Sequence, residues 1–292
     1  MTPYVGKGGT QGVSERRTPP ATMAQRLSEI DVSIAHASRM YDYLLGGTNY
    51  FAVDRAAAEE ANADAPGGVA AARAGIRANR AFLGRAVRHL ADLGIRQFLD
   101  IGAGIPHGSH VHEIAQKVAP EARVVYIDND PIVLAHSHAL LHGGTDEGAT
   151  DFVAGDVCDP EAVLRDAAHT LDLTRPTGIL LVAVLHFVPD EFDPWGIVRR
   201  LCEAVPRGSY VALSHGTIDA DPPAFTALTR RLSERSRERF VWRRHADVER
   251  FLDGLDVLHP GLVPVNRWRP DREGSAPDAY DVAIHGGVAR IP

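Results

Sequence analysis

An α/β architecture with a doubly wound, mostly parallel sheet is predicted for this chain by three observations. Five short apolar runs recur between residues 97 and 213: QFLDI (97–101), VVYI (124–127), DFVA (151–154), ILLVAV (179–184) and YVAL (210–213). Amphipathic stretches long enough to be helices separate them, as parallel neighbours require, because a parallel pair needs a crossover connection. The first three runs lead straight into glycines or aspartates, the residue types that meet a ligand at the carboxyl edge of such a sheet.

Each segment can be justified in order. Residues 1–30 read as a disordered tail, with glycine, proline and small polar residues and too little apolar surface to offset the entropy of ordering. Arg16-Arg17 is followed by Thr18-Pro19-Pro20 where an export signal needs an apolar stretch, so no signal is read. Residues 31–95 read as a helical lid. Met40, Tyr43 and Leu44 recur at helical spacing until Gly46-Gly47, and 62–68 is a loop. A longer helix follows, carrying Ile76, Phe82, Leu83, Val87 and Leu90 on one stripe and ending at Gly94. Residues 96–292 form the α/β core. Asp159-Pro160 and Asp193-Pro194 are helix starts, an acid at the cap and proline in the first turn. After Pro222 an arginine-rich helix is expected, then a helix near 247–252. Strands at 255–258 and 279–284 are expected to close the sheet with an antiparallel edge.

Composition excludes several classes. The chain has 292 residues, 45% hydrophobic and 24% charged, which is ordinary for a globular protein. Its longest apolar run, 179–185, is far short of the roughly 20 residues that span a bilayer. A net charge of -7 gives no global attraction for nucleic acid. Only Lys7 and Lys117 among 31 basic residues are lysines. Lys7 lies between glycines in the tail, so there is no nucleotide-binding P-loop, and Lys117 near a helix end is a poor Schiff-base candidate. Cys158 and Cys202 make neither a disulfide framework nor a metal motif, and they fit a reducing cytoplasm.

The strand ends point to a ligand. The first run leads into Asp100-Ile101-Gly102-Ala103-Gly104, where glycines allow a tight turn and close approach. Asp128, followed by Asn129, ends the second and suits the vicinal hydroxyls of a ribose. Asp156, followed by Val157, ends the third and suits an exocyclic adenine amine. Together they describe an adenosine-containing ligand. A dinucleotide needs a third glycine where His107 stands, and Asp100 sits badly beside a pyrophosphate. An acid there suits an ammonium group. S-adenosylmethionine carries adenosine, an α-amino group and a sulfonium, without phosphate.

The chain also resembles a known family, the actinobacterial S-adenosylmethionine-dependent methyltransferases formerly described as a domain of unknown function. The resemblance rests on SRMYDYLLGGTNYFAVD (38–54), ANRAFLGR (78–85), FLDIGAGIP (98–106), VVYIDNDPIVL (124–134), LLVAVLHFVP (180–189) and GSYVALSH (208–215), and covers about 31–290. It departs in having Tyr50 before Phe51, with the asparagine at Asn49, and in Ala103 where threonine is frequent. The resemblance implies a class I methyltransferase fold with an added N-terminal helical region, and leaves the acceptor unidentified.

Within that frame, Tyr41, Tyr43, Gly46, Gly47 and Asn49 form an aromatic and polar cluster expected to serve the lid and substrate, although core tyrosines would look the same. Arg80 is placed to pair with the methionine carboxylate, or is a solvated helix arginine. His186, just past the fourth run, is the candidate base or substrate contact, with His215 behind it. Other signals are weaker. Ser214-His215-Gly216 resembles a nucleophile elbow, but Asp219, Asp221 and two prolines follow where a helix should start. Asp190, Glu191 and Asp193 suit Mg²⁺ less well than capping, and His138 with His142 lacks a third ligand. Arginines from 230 to 244 suggest a nucleic-acid surface, but Glu234 and Glu238 favour a salt-bridged helix. The expected activity is methyl transfer to a small molecule. A non-catalytic S-adenosylmethionine-binding sensor is the alternative; an NAD-dependent oxidoreductase and an RNA methyltransferase are disfavoured.

Overall fold

The computed structural model describes residues 31–108, 110–133, 145, 147–271 and 282–292. The expected tail and the pair His138 and His142 therefore lie outside the described residues.

Three helices open the described chain: α1 (Ala37–Leu45), α2 (Ala52–Asn62) and α3 (Gly68–Asp92). Gly46 ends α1 in the left-handed conformation at φ 91° and donates to the Asp42 and Tyr43 carbonyls, the role its position predicts. Strands and helices then alternate as β1 (Gln97–Ile101), α4 (Val111–Val118), β2 (Arg123–Asp128), β3 (Ala149–Ala154), α5 (Pro160–Ala167), β4 (Gly178–Val182), α6 (Pro194–Glu203) and β5 (Tyr210–Gly216). Asp159 and Asp193 both cap the helices that follow them, accepting from Ala162 N and Gly196 N. The chain closes with α7 (Pro222–Arg235), α8 (His245–Glu249), β6 (Asp256–Val257), β7 (Val263–Pro264) and β8 (Ile284–Arg290).

The sheet order is β3-β2-β1-β4-β5-β8-β6, with β7 also paired to β8. Strands β1 to β5 are mutually parallel, and β8 runs antiparallel to β5, β6 and β7. The order reverses at β1, which puts the β1 and β4 carboxyl ends at the switch point. Period-two alternation buries both faces. Leu99, Ile101, Ile179, Leu181, Val211 and Leu213 pack on the side of α5 and α6. Phe98, Val124, Leu180, Ala212 and Val288 pack against Phe82, Val87 and Leu90 of α3. Phe82 is fully buried, edge-on to Trp268 at 5.3 Å, and such burial contributes about 1.5–3 kcal/mol.

Four sequence expectations shift. The fourth strand stops at Val182 because Ala183 adopts φ +59°, which breaks the extended run. The fifth extends to Gly216, so His215 lies within it, because β8 supplies an antiparallel partner through that residue. Of the strand expected at 279–284, residues 279–281 lie outside the described residues, 282 and 283 are not extended in the sheet, and the observed strand is Ile284–Arg290. Its interior glycines hide it from propensity, and a Cβ at Gly286 would press on Val265 and Phe82 at 2.8–3.0 Å. The arginines after residue 229 do not form one salt-bridged helix, since α7 ends at Arg235. Arg235 instead pairs with Glu60 of α2, and Arg239 with Glu191.

The helical layer over the sheet edge has two sources. Met40, Tyr43 and Leu44 of α1, and Ala57, Ala58 and Ala61 of α2, pack on Phe225, Leu228 and Leu232 of α7. Val69, Ala72 and Ile76 join them from the start of α3. The long helix α3 thus belongs to this cap at one end and to the sheet layer at the other.

Candidate active site

One cavity of about 850 Å³ lies between the cap and the carboxyl ends of β1 to β5. Asp100, Gly102, Gly104, Asp128, Asn129, Asp156, Val157, Arg80, His186 and Tyr41 all line it. Residues separated by more than a hundred positions are brought together because parallel strands end on one edge.

The turn after β1 is fixed by β2. The N–H groups of Gly102 and Ala103 both donate to the Ile127 carbonyl, and Gly104 N donates to Asp128 Oδ2 at 2.8 Å. Gly102, at φ +76°, is required by packing: a Cβ there would meet Val184 at 2.6 Å. Gly104, at φ +66°, has open space where a Cβ would stand, so it is the glycine that keeps room for a ligand.

Electrostatics single out two acids. Burial pushes the Asp100 carboxyl up to about 7, with the Arg80 guanidinium opposing the shift and Asp128 adding to it. Burial likewise raises Asp128 to about 6, against the N–H bonds from Asp130 and Gly104. A carboxylate so desolvated gains most from an ammonium or paired hydroxyls brought to it. Asp156 Oδ1 accepts from Cys158 N at 2.9 Å, shaping the turn after β3. At the β1 turn Pro106 and His107 follow Ile105, and His107 Nδ1 lies 3.7 Å from Asp42 Oδ1. The donor set fits S-adenosylmethionine.

His186 sits in a 3₁₀ turn, Leu185–Phe187, directly after β4. Its ring lies edge-on to Phe187 at 4.4 Å and parallel to Phe240 at 6.2 Å. Burial, then the charge of Arg243, pulls its pKa down to about 3, so it is neutral at physiological pH. Arg243 is itself buried, 2.6 Å from Asp190 and 2.9 Å from His215 Nε2. Asp190 and Glu191 are thus engaged by arginines, and Asp193 by its cap.

Four predicted lid residues are not brought to the cavity. The Tyr43 hydroxyl donates to Glu59, and its ring packs on Tyr50 at 5.0 Å. Gly46 is a helix cap. Gly47 leaves space for the Asp42 carboxylate, which a Cβ would displace. Asn49 N donates to Asp42 Oδ2 at 2.8 Å. Asp42 organises this turn, which Gly46, Gly47 and Asn49 serve, while Tyr43 packs in the cap.

Sequence reasoning missed the other wall. Phe225, Phe240 and Trp242, together with Glu238, line the cavity from α7 and the segment after it. The aromatic residues among the arginines were the available signal, but their placement depends on the segment after α7 returning to the end of β5, where Thr217 bridges Arg243. His36, ahead of α1, joins the cap to the core: Nε2 lies 2.7 Å from Glu238 and Nδ1 3.1 Å from Asp130. Burial opposes its charging, yet the Glu238 bond and the two nearby carboxylates carry its pKa above the ordinary value.

A doubly wound sheet with an antiparallel closing strand, strand-end acids and a helical cap defines a class I methyltransferase. The chain belongs to the S-adenosyl methyltransferase family, whose model matches residues 23–292. S-adenosylmethionine is its cofactor. It is similar to a DUF574 family protein from Streptomyces avermitilis, at 46% identity and TM-score 0.83, over 90% of this chain and 99% of that one. It is also similar to a protein from Thermobifida fusca described as a candidate methyltransferase, at 36% identity and TM-score 0.80, over 89% and 96% of the two chains. No curated protein matches it. Among the described residues no helix is long and apolar enough to cross a membrane.

Proposed function

We propose that the chain methylates a small molecule enclosed between the cap and the sheet edge. The observation carrying this reading is that the strand-end acids and His186 open on one cavity roofed by α1, α3 and α7. Its 850 Å³ lies toward the upper end of the roughly 300–1,000 Å³ of small-molecule sites, room for a cofactor and a compact acceptor side by side.

In this reading Asp100 holds the α-amino group and Arg80 the carboxylate of the methionine portion. Asp128, with Asn129, takes the ribose hydroxyls, and Asp156 with Val157 takes the adenine. S-adenosylmethionine when bound supplies an electrophilic methyl group, so the protein need only align and desolvate the reacting pair. Tyr41 and α1 form part of the lid that excludes water, and His186 contacts the acceptor. The two free cysteines, Cys158 and Cys202, suit a reducing cytoplasm.

A crystal structure with S-adenosylhomocysteine tests this map. The expected density runs along the ends of β1, β2 and β3, with its amino group at Asp100 and its ribose at Asp128. Density elsewhere, or reversed along the cavity, contradicts it.

A further inference from the structure

The cavity is chemically divided. Along the strand ends it is polar, with the three aspartates, Asn129 and Arg80. The Phe240 ring lies parallel to His186 at 6.2 Å, and Phe225, Trp242, Ala72 and Gly75 also line the cavity. Two other acids reach this part, and both are engaged. Asp221 caps α7, accepting from Ala224 N at 3.1 Å. Glu238 is held by His36 and by Ala37 N at 2.9 Å. Glu238, paired with the His36 imidazole, offers an ammonium-bearing acceptor less than an unpaired carboxylate would.

The charge beneath His186 is positive. Arg243 reaches His215 Nε2 at 2.9 Å, and the His215 ring stands edge-on to His186 at 5.6 Å. The carboxylate partner of Arg243 is Asp190, whose side chain is 65% exposed and so screened by solvent, whereas Arg243 is buried. A buried guanidinium with an exposed counter-ion leaves a positive potential on the buried side, where an anion is favoured.

Resting on the cavity reading above, we propose that the acceptor is a flat aromatic compound whose reacting group is an ionised hydroxyl. Its rings pack among Phe225, Phe240 and Trp242, and its oxyanion meets the neutral His186 imidazole, a hydrogen-bond donor. The hydroxyl proton goes to solvent before the transfer. The oxygen lone pair then makes the new O–C bond as the methyl's bond to sulfur breaks, its electron pair staying on sulfur. His186 positions the oxygen and takes no proton.

Binding to protein saturated with S-adenosylhomocysteine tests this without turnover. Three two-ring probes are titrated calorimetrically near neutral pH: an acidic nitronaphthol present as its anion, the uncharged nitronaphthalene, and naphthylmethylammonium. The anion is expected to bind about tenfold more tightly than either of the others, a ratio calorimetry resolves. Gly75→Leu, which fills the chamber, is expected to weaken it by about tenfold at unchanged S-adenosylhomocysteine affinity. Equal or tighter binding of the ammonium, no binding of the anion to saturated protein, or an indifferent Gly75→Leu variant each overturns the proposal while leaving the cofactor map intact. Failure of S-adenosylhomocysteine itself to bind removes the cavity reading and this inference together.

Discussion

Asn79 Oδ1 accepts a hydrogen bond from Ser214 Oγ at 2.6 Å, joining the middle of α3 to the inner end of β5. Both residues are buried. Asn79 Nδ2 also donates to the Tyr41 hydroxyl at 3.1 Å, and Ser214 Oγ accepts from Ala183 N at 3.0 Å. The chain of bonds runs from α1 through α3 to the strained turn after β4, at φ +59°. The cap is therefore pinned where His186 is presented.

Breaking that chain has a predicted cost. Asn79→Ala or Ser214→Ala leaves a buried partner unsatisfied, a loss of about 1–3 kcal/mol each. Because the two share one bond, the double variant loses less than the sum. A double-mutant cycle by denaturant unfolding checks this, and additive losses contradict a direct coupling.

Asp100 sets a pH dependence. Its folded value, about 7, lies above the ordinary 3.8, so the folded protein keeps this proton where the unfolded chain has released it. Stability is accordingly lost as pH rises from about 4 to about 7 and is not regained above, a cost on the order of a few kcal/mol. Asp100→Asn removes that cost. The ligand-free variant is expected to melt higher than the parent near pH 8 and alike near pH 4. Cofactor affinity in the parent is expected to climb with pH and level off above about 7, as the carboxylate that meets the ammonium ionises. A flat affinity profile contradicts this role.

Gly75 is a glycine without a conformational reason. It lies within α3 at ordinary backbone angles, and a Cβ would find only Ile284 at 3.7 Å and Val282 at 4.0 Å. Gly75→Ala should therefore stabilise the fold by about 0.5–1 kcal/mol. Its melting temperature should rise by about 1–3 °C. A lower melting temperature means the chamber wall does not tolerate even a methyl group.

Gly216 behaves oppositely. The Trp242 indole lies where its Cβ would stand. Gly216→Ala must push the indole from the cavity wall, an overpacking cost of about 1–3 kcal/mol. A shift in tryptophan emission accompanied by loss of stability is the expected signature, and an unaltered emission spectrum would sink this account of the wall.

Much of the sheet was legible because its signals are local. The run 97–101 leads into glycines and lies fully buried at the switch point, Asp128 ends β2, and Asp156 follows β3. The proline-preceded caps were equally legible, since an acid before proline has few other uses. What escaped is non-local. Nothing near Trp242 says that the segment after α7 returns to the end of β5, and nothing near Asn79 names Ser214 as its partner. Gly46, Gly47 and Asn49 look functional in sequence because a buried Asp42 needs small and polar neighbours to close its turn, and Tyr43 because a core tyrosine reads the same way. A turn built around a buried carboxylate uses the same residue types as a lid.

The strand-end acids are predicted to seat an adenosyl ligand, and calorimetric titration is the measurement that decides it. S-adenosylmethionine and S-adenosylhomocysteine are predicted to bind the parent, NAD to give no signal, and Asp128→Ala to lose both adenosyl ligands while remaining folded. An unchanged affinity in a folded Asp128→Ala variant, or binding of NAD, would contradict the account.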